Sequence, residues 1–364
     1  MGQSNVKDHI ASNVSNVSNV MKNCGFITDS KFDTQYKAIT HEEIVNIIDK
    51  YGICYVPDVL NNEERLNMIS GTWDFFEHIT GRDMQPIMRS DPATWSSFDS
   101  LDTTLGMIYH YWNVGHAQHL WDIRQNTNII KIFTNLLHTN PNNLLVSFDG
   151  LGFLLPPEYT NINWHKEKDC NLHLDQRLSY TEQKGFQSFV TAYDIEEGDA
   201  SIRFLEGSHK HVRQFVNKFG EFCTDDLIVF KDEHIEYYKE HCEEKFLKCP
   251  AKSLVLWDSR LVHCVANPRR NRKNENMSCI AYLSYAEKDE ITNEDLELKK
   301  LALQEKYTSN HYANHATYFP TYPTNYNKQH YDSIKSPHLT PMGYSLVGYN
   351  DNEINSIFTN DDDF

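Results

Sequence analysis

The chain has 364 residues, of which 40% are hydrophobic and 12% aromatic, so it holds enough apolar material for a core and is not a wholly disordered protein. Its formal net charge is −17 and its densest basic stretch spans only residues 269–273, so a nucleic-acid partner is not expected. The eight cysteines form no Cys-x-x-Cys pair, and no segment reaches the roughly 20 apolar residues that span a bilayer. We therefore expect a reduced, cytoplasmic protein without a membrane segment.

The first third of the chain predicts a leader followed by helices and one strand. Thr40 stands three residues before Glu43, as in a capping box, and Gly52 follows the last apolar position of that helix. The leader contains repeated Ser-Asn-Val triplets, which cannot bury a core, so it is predicted to be disordered. The predicted leader, first helix, strand and second helix span residues 1–35, 40–51, 53–57 and 61–78, respectively.

From about residue 144 the pattern changes to short runs rich in β-branched and aromatic residues, separated by Gly, Pro, Asn and Asp. The clearest runs are residues 144–148, 186–193, 254–257 and 277–285. This density of short strands predicts a sandwich or barrel. Thr292 opens a final helix that reaches about Tyr307, and the Tyr-, Asn- and Pro-rich tail beyond it is expected to wrap the surface or to be partly disordered.

His173 and Asp175 are candidate metal ligands because residues two apart on a strand point to the same face. The spacing alone is weak evidence, since the chain also contains His41/Glu43, His165/Glu167, His234/Glu236 and His241/Glu243. His173 and Asp175 differ from these pairs because they lie at the start of the β-rich region, and His263 lies on another predicted strand 90 residues later. Two His and one Asp would leave three positions of an octahedral ion open, as in non-haem iron(II) oxygenases.

Several ordered motifs together resemble the phytanoyl-CoA dioxygenase superfamily over roughly residues 45–320, in particular a branch with H-x-D-Q and W-D-S-R-x-x-H motifs. The segments that carry the resemblance are residues 51–57, 115–124, 147–150, 173–176, 204–210 and 257–263. The resemblance implies an α+β fold with a mainly β core, a double-stranded β-helix (a jelly-roll or cupin-like barrel) with flanking helices. It also implies His173, Asp175 and His263 as the iron ligands and catalytic centre.

The resemblance further implies the domain layout. One oxygenase domain would span residues 36–310. Its helical part, β-helix core and C-terminal helix would be residues 36–143, 144–287 and 288–307, and the tail would be residues 311–364.

The activity implied by the resemblance is hydroxylation of a small organic substrate by iron(II), 2-oxoglutarate and dioxygen, with release of succinate and carbon dioxide. In such enzymes the protein supplies ligands, orientation and exclusion of water. Asp175 favours a hydroxylase, because related halogenases lack this carboxylate and bind halide in its place. A deep barrel pocket also suits a small molecule better than a folded macromolecule.

One expected residue of the family does not align cleanly. An Arg about ten to twelve residues after the second His usually grips the far carboxylate of 2-oxoglutarate as a bidentate pair. Position 274 is Asn here, so Arg272 is the nearest candidate, followed by Arg269 and Arg270. The same stretch is also consistent with a solvated loop. Strand alternation from His263 places Arg260 on the opposite face, where a structural pairing with an acidic neighbour is expected.

Gln118, Trp121 and Arg124 are candidate substrate contacts, because the region before the barrel commonly covers its mouth in this family. Trp164 is a further candidate, because it lies close upstream of the first ligand. Packing is the stronger interpretation for Trp121, and a surface loop is equally consistent with Trp164. Two other functions remain open. A catalytically silent barrel that binds a ligand or a protein partner is favoured by Asn274, and a zinc-dependent hydrolase would reuse the same ligands around an activated water.

Overall fold

Helices and short strands make up the part of the chain that the computed structural model describes, which is residues 31–104, 108–160, 171–269, 272–324 and 333–360. The helices in these ranges are α1 (His41–Tyr51), α2 (Asn62–Ile79), α3 (Gln118–Arg124), α4 (Thr127–Leu136), α5 (Pro157–Thr160), α6 (Val212–Phe219), α7 (Asp232–Lys239), α8 (Asn293–Glu305), α9 (Pro341–Val347) and α10 (Asp351–Asn360). None of these described helices is long and apolar enough to cross a membrane.

The strands are short and all pair antiparallel. They are β1 (Ile53–Val56), β2 (Ile108–Tyr109), β3 (Leu144–Val146), β4 (Leu151–Leu154), β5 (His173–Leu174), β6 (Phe186–Thr191), β7 (Ser201–Leu205), β8 (Ile228–Val229), β9 (Glu244–Phe246), β10 (Leu254–Asp258), β11 (His263–Ala266), β12 (Ser278–Tyr282) and β13 (Tyr285–Glu287). The predicted mixture of helices and strands is thus confirmed, although the run predicted over 277–285 is divided between β12 and β13.

The first helix shows how local sequence sets an element's limits. Thr40 Oγ1 accepts a hydrogen bond from the Glu43 amide at 3.2 Å, and a Glu43 carboxylate oxygen accepts one from the Thr40 amide at 3.1 Å. This capping box contributes about 1 kcal/mol at the helix start. At the other end Gly52 has a left-handed backbone with φ of 87°, which glycine adopts without steric cost. The helix predicted over 40–51 is therefore confirmed.

The β-rich part that the structure describes has a two-stranded sheet, in which β13 pairs with β3, and two larger sheets. One has six strands in the order β1-β10-β6-β12-β4-β2, and the other has five in the order β8-β5-β11-β7-β9. Side chains alternate along β10, so the larger sheet has two apolar faces. Leu254 and Leu256 belong to the hydrophobic core that the sheet shares with the helices, while Val255 and Trp257 pack with residues of β7. The side chains of Val255 and Trp257 therefore lie between the two sheets.

The tail contains more structure than its composition predicts. Besides α9 and α10, it includes the C-terminal hairpin, residues 308–319, in which the Asn310 amide donates to the Thr317 carbonyl at 3.0 Å. The Ser309 amide donates to the Phe148 carbonyl at 2.9 Å, and the Ser309 hydroxyl accepts from the Phe148 amide at 2.9 Å. These bonds fix the hairpin against the segment between β3 and β4.

Candidate metal centre and cavity

Three side chains converge where the smaller sheet faces the larger one. His173 on β5 and His263 on β11 are directly paired in register, and their ring centroids are 4.6 Å apart. Asp175 lies two residues after His173, and its Oδ2 is 3.7 Å from His173 Nε2 and 3.6 Å from His263 Nε2. These distances exceed those of hydrogen bonds, so the three atoms are grouped without bonding to one another. All three residues are buried and could hold one metal ion.

Both imidazoles are fixed in the tautomer that a metal ligand needs. The Nδ1 atom of His173 lies 2.9 Å from the Asn171 carbonyl oxygen, and the Nδ1 atom of His263 lies 2.9 Å from the Leu261 carbonyl oxygen. A carbonyl oxygen only accepts, so Nδ1 carries the proton in each neutral ring and Nε2 keeps a lone pair. Backbone carbonyls in this position also orient the ring, as they do behind metal-bound histidines.

The carboxylate of Asp175 is oriented by a chain of donors. The Gln187 amide donates to Asp175 Oδ2 at 2.8 Å, and the Trp257 indole donates to the Gln187 carbonyl oxygen at 2.6 Å. Burial raises the pKa of the Asp175 carboxyl, but the nearby His173, His311 and His263 imidazoles and the Gln187 hydrogen bond outweigh it and lower the pKa to about 2. Asp175 is therefore an ionised ligand at neutral pH.

Replacing Gln187 with Leu should weaken metal binding at the triad by roughly ten- to a hundredfold, because residues that orient metal ligands have effects of this size. The substitution removes the donor to Asp175 without touching a ligand. Gln183→Leu is the matched control, since Gln183 is half-buried and donates to the Gly185 carbonyl outside the site. Calorimetric titration with the metal under anaerobic conditions measures the effect. Equal affinities in the two variants would show that Gln187 does not orient the ligand.

The triad lies on the wall of a cavity of about 400 Å3, a size that suits a small molecule. The larger sheet contributes Gln187, Phe189, Trp257, Ile280 and Tyr282 to its wall. The smaller sheet contributes His173, Ser201, Ile202, His263 and Val265. The C-terminal hairpin closes part of it with Asn310, His311, Tyr312, Thr317 and Phe319. The wall combines aromatic and aliphatic side chains with polar and charged ones, so it can both bury a small molecule and orient it.

The structure brings the three predicted ligands together, but the two described candidates for the 2-oxoglutarate arginine, Arg269 and Arg272, do not line the cavity. The buried Arg272 guanidinium donates to Asp199 Oδ1 at 2.7 Å and to the Glu158 carboxylate at 3.2 and 3.3 Å. Arg269 lies over the phenyl ring on β9, with its guanidinium carbon 5.0 Å from the ring centroid. Arg270 lies outside the described residues. The role predicted for Arg272 stays a prediction, and its two carboxylate partners do not favour it.

Three of the four predicted substrate contacts are described, and none of these three lines the cavity. Gln118 is exposed and donates to Asp122 at 2.8 Å, whereas Trp121 is fully buried, in keeping with a packing role. Arg124 is buried and donates to the backbone carbonyl of Asp149 at 2.7 Å. Because Asp149 lines the cavity, this hydrogen bond helps to position a residue of the cavity wall. Trp164 lies outside the described residues.

Arg260 has the structural role expected of it. Its guanidinium donates to both carboxylate oxygens of Asp258, at 2.9 and 2.7 Å, and to the Thr181 carbonyl oxygen at 3.4 Å. It does not line the cavity. The prediction that Arg260 pairs with an acidic neighbour is confirmed.

A second polar pair on the cavity wall, His110 and Asp149, was not predicted from the sequence. His110 Nε2 lies 2.9 Å from Asp149 Oδ1, and the His110 ring is stacked on Phe319 with centroids 4.1 Å apart. Nδ1 of the same ring is hydrogen-bonded to the Thr104 hydroxyl. Asp149 belongs to the 147–150 motif that carries part of the family resemblance, and this motif could have marked Asp149 as a functional residue. His110 has no comparable signal in the sequence.

Comparison with known proteins supports the fold. No protein-family model matches the chain, and no curated protein does. Among solved structures, a hypothetical protein from Escherichia coli is 12% identical with a TM-score of 0.53, over 94% of this chain and 91% of that one. The GlcNAc Inducible Gene 2 (DUF1479) protein of Candida albicans is 11% identical with a TM-score of 0.52, over 88% and 81%. These two likenesses indicate a shared overall fold.

A more distant similarity is to HygX from Streptomyces hygroscopicus, solved with nickel and 2-oxoglutarate bound. It is 14% identical with a TM-score of 0.39, over 69% of this chain and 88% of that one. At this TM-score the similarity adds nothing to the fold assignment.

Proposed function

We propose that the chain is a non-haem iron(II)- and 2-oxoglutarate-dependent oxygenase of the phytanoyl-CoA dioxygenase type, in which the two sheets form a double-stranded β-helix. The observation that carries the proposal is the grouping of His173 Nε2, Asp175 Oδ2 and His263 Nε2 on a cavity wall, with both rings in the ligand tautomer. The ordered sequence motifs of that superfamily are independent support, because they include these same three residues.

The donor set fits iron(II). Two neutral imidazoles and an ionised carboxylate form the facial triad that suits this ion, and the cavity leaves room on the open side. Iron bound there, together with 2-oxoglutarate and dioxygen, would supply the oxidising chemistry. The chain contributes the three ligands, the Gln187 and Trp257 hydrogen bonds that orient Asp175, and aromatic walls that exclude water.

Hydroxylation of a small organic molecule is the reaction we infer. Asp175 occupies the position that halogenases of this type leave to a halide, so a carboxylate ligand favours hydroxylation. The cavity volume favours a small substrate over a folded macromolecule.

A second candidate function is a non-catalytic barrel that binds a small ligand. One observation favours it: Arg269 and Arg272 do not line the cavity, and the guanidinium of Arg272 is occupied by Asp199 and Glu158. Without a donor for its far carboxylate, 2-oxoglutarate would bind poorly.

Anaerobic titration with iron(II) and then 2-oxoglutarate distinguishes the two functions. We expect one iron per chain and a weak visible charge-transfer band when 2-oxoglutarate chelates the metal. Succinate release would then serve as the assay for a substrate screen. Iron binding without a band would favour the non-catalytic barrel, and absence of iron binding would contradict the proposed metal site itself.

A further inference from the structure

Asp149 is an acidic group on the cavity wall that does not belong to the metal triad. Its Oδ1 atom accepts from the Gly150 amide at 2.7 Å and lies 2.9 Å from His110 Nε2, whereas its Oδ2 atom has no hydrogen-bond partner among the described residues. The side chain is only 8% exposed, yet Oδ2 is not one of the fully enclosed polar atoms that lack a partner. Because Asp149 lines the cavity, Oδ2 is open to that space.

A free carboxylate oxygen in this position requires a donor. A carboxylate can accept about four hydrogen bonds, and buried polar atoms in native proteins are nearly always paired. A largely buried carboxylate with one oxygen open to a cavity therefore points to a ligand that donates to it. Among the possible donors, a charged one bonds about twice as strongly as a neutral one.

The charges on the wall favour a cation as that donor. Besides Asp149 and the metal ligand Asp175, the wall includes Asp225 and Asp226. Arg177 has the only Lys or Arg head group on the described wall, and it already pairs with Asp226 at 2.8 Å. Iron(II) and the 2-oxoglutarate dianion would cancel each other's charge, so the wall would keep its excess of carboxylates with both bound. Such a cavity attracts cations and repels anions.

Aromatic rings next to Asp149 suit an organic cation. The Phe319 ring is stacked on the His110 ring, with centroids 4.1 Å apart, and it lines the cavity. The Tyr282 amide donates to the Gly150 carbonyl at 3.2 Å, and the Tyr282 side chain also lines the cavity. The faces of such rings attract ammonium groups, and the same rings bury hydrocarbon.

The larger sheet separates Asp149 from the triad. Gln187, which donates to Asp175, lies on β6, and β4 is two strands away in the same sheet. Asp149 stands two residues before β4. Neighbouring strands are about 4.8 Å apart, so the distance across the sheet from Gln187 to Asp149 is roughly 10 Å. A small extended molecule can therefore contact Asp149 at one end and reach toward the triad at the other.

We propose that Asp149 binds the ammonium group of an organic amine substrate through Oδ2, with the hydrocarbon part of the amine directed toward the triad. This inference rests on the proposed function, since it names the class of substrate that the oxygenase would hydroxylate. The binding of the amine itself needs only Asp149 and the cavity wall, so it can be measured with and without metal.

The test measures the binding of benzylamine, which is protonated at neutral pH, and of benzyl alcohol, its neutral counterpart, by anaerobic calorimetry. The unmodified protein should bind the ammonium at least roughly tenfold more tightly than the alcohol. Asp149→Asn should lose roughly ten- to a hundredfold in ammonium affinity, because Asn keeps an acceptor for the Gly150 amide but replaces the second oxygen with an NH2 group.

Asp194→Asn is the matched control. Asp194 is half-buried, its carboxylate accepts from the Ala251 amide at 2.7 Å, and it does not line the cavity. This variant should bind both probes as the unmodified protein does.

Both probes are titrated into the metal-free and the iron(II)-loaded protein, and iron content is measured first. Ammonium binding without iron binding would contradict the proposed oxygenase and leave the amine site. The inference is overturned if the ammonium binds no better than the alcohol, or if it binds Asp149→Asn as tightly as the unmodified protein. If the Asn variant does not fold, the preference of the iron(II)-loaded unmodified protein decides, because the metal then occupies Asp175.

Discussion

Replacing Asp175 with Ala should reduce bound iron from about one ion per chain to below roughly a tenth, and the chain should still fold. Asp175 supplies the one negative charge among the three grouped ligands, and the remaining two neutral imidazoles would not hold a divalent ion tightly. The side chain lies on the cavity wall rather than in the apolar core, so its loss should change the unfolding free energy of the metal-free protein by only about 1 kcal/mol. His173→Ala should behave in the same way.

The sequence offers a control with identical spacing. His241 and Glu243 are also a His-x-carboxylate pair, but both side chains are exposed and they are not part of the metal grouping. His241→Ala should leave iron content unchanged. The measurement is metal content after anaerobic loading and desalting, together with thermal unfolding of the metal-free variants. Full iron stoichiometry in the Asp175 or His173 variant would remove the proposed site.

The triad could be predicted because its signals are local. Strand alternation places His173 and Asp175 on one face, and the family motif marks His263. The structure adds what no local pattern contains: register pairing sets the two histidines opposite each other, and Gln187, a mid-strand residue of β6, orients the carboxylate. Helix limits such as the Thr40 cap were likewise predictable, because they depend on residues three or four positions apart.

The cavity wall contributed by the tail could not be predicted from the sequence. Tyr312 lies 137 residues from Asp175, and the Tyr- and Asn-rich segment around it has no periodicity that marks a buried face. His311 is in the same segment. The partners of Arg272 are equally non-local: Glu158 is 114 residues away and Asp199 is 73 residues away. The positions of the tail segment and of Arg272 both depend on contacts between residues far apart in the chain, and a single sequence does not reveal such contacts.

Arg272→Ala should therefore act first on stability, with a loss of about 3–5 kcal/mol in the free energy of unfolding. The Arg272 side chain is 1% exposed, and its removal would take away the cation that the buried carboxylate of Asp199 and the half-buried carboxylate of Glu158 share. Burial raises the pKa of Asp199 even with its present partners, which shows how poorly the site solvates a charge. Arg269→Ala is the control, because Arg269 is exposed and should cost little.

The same variant tests whether Arg272 binds the far carboxylate of 2-oxoglutarate. If Arg272→Ala unfolds, the triple variant Arg272→Met, Asp199→Asn and Glu158→Gln removes the unpaired charges and keeps the approximate shape, so that 2-oxoglutarate affinity can be measured. Unchanged affinity in that folded variant would make Arg272 a structural residue. A tenfold or greater loss with normal stability would instead support the role predicted for Arg272 from its position in the sequence after His263. The burial of the Arg272 guanidinium would then have to change when 2-oxoglutarate binds.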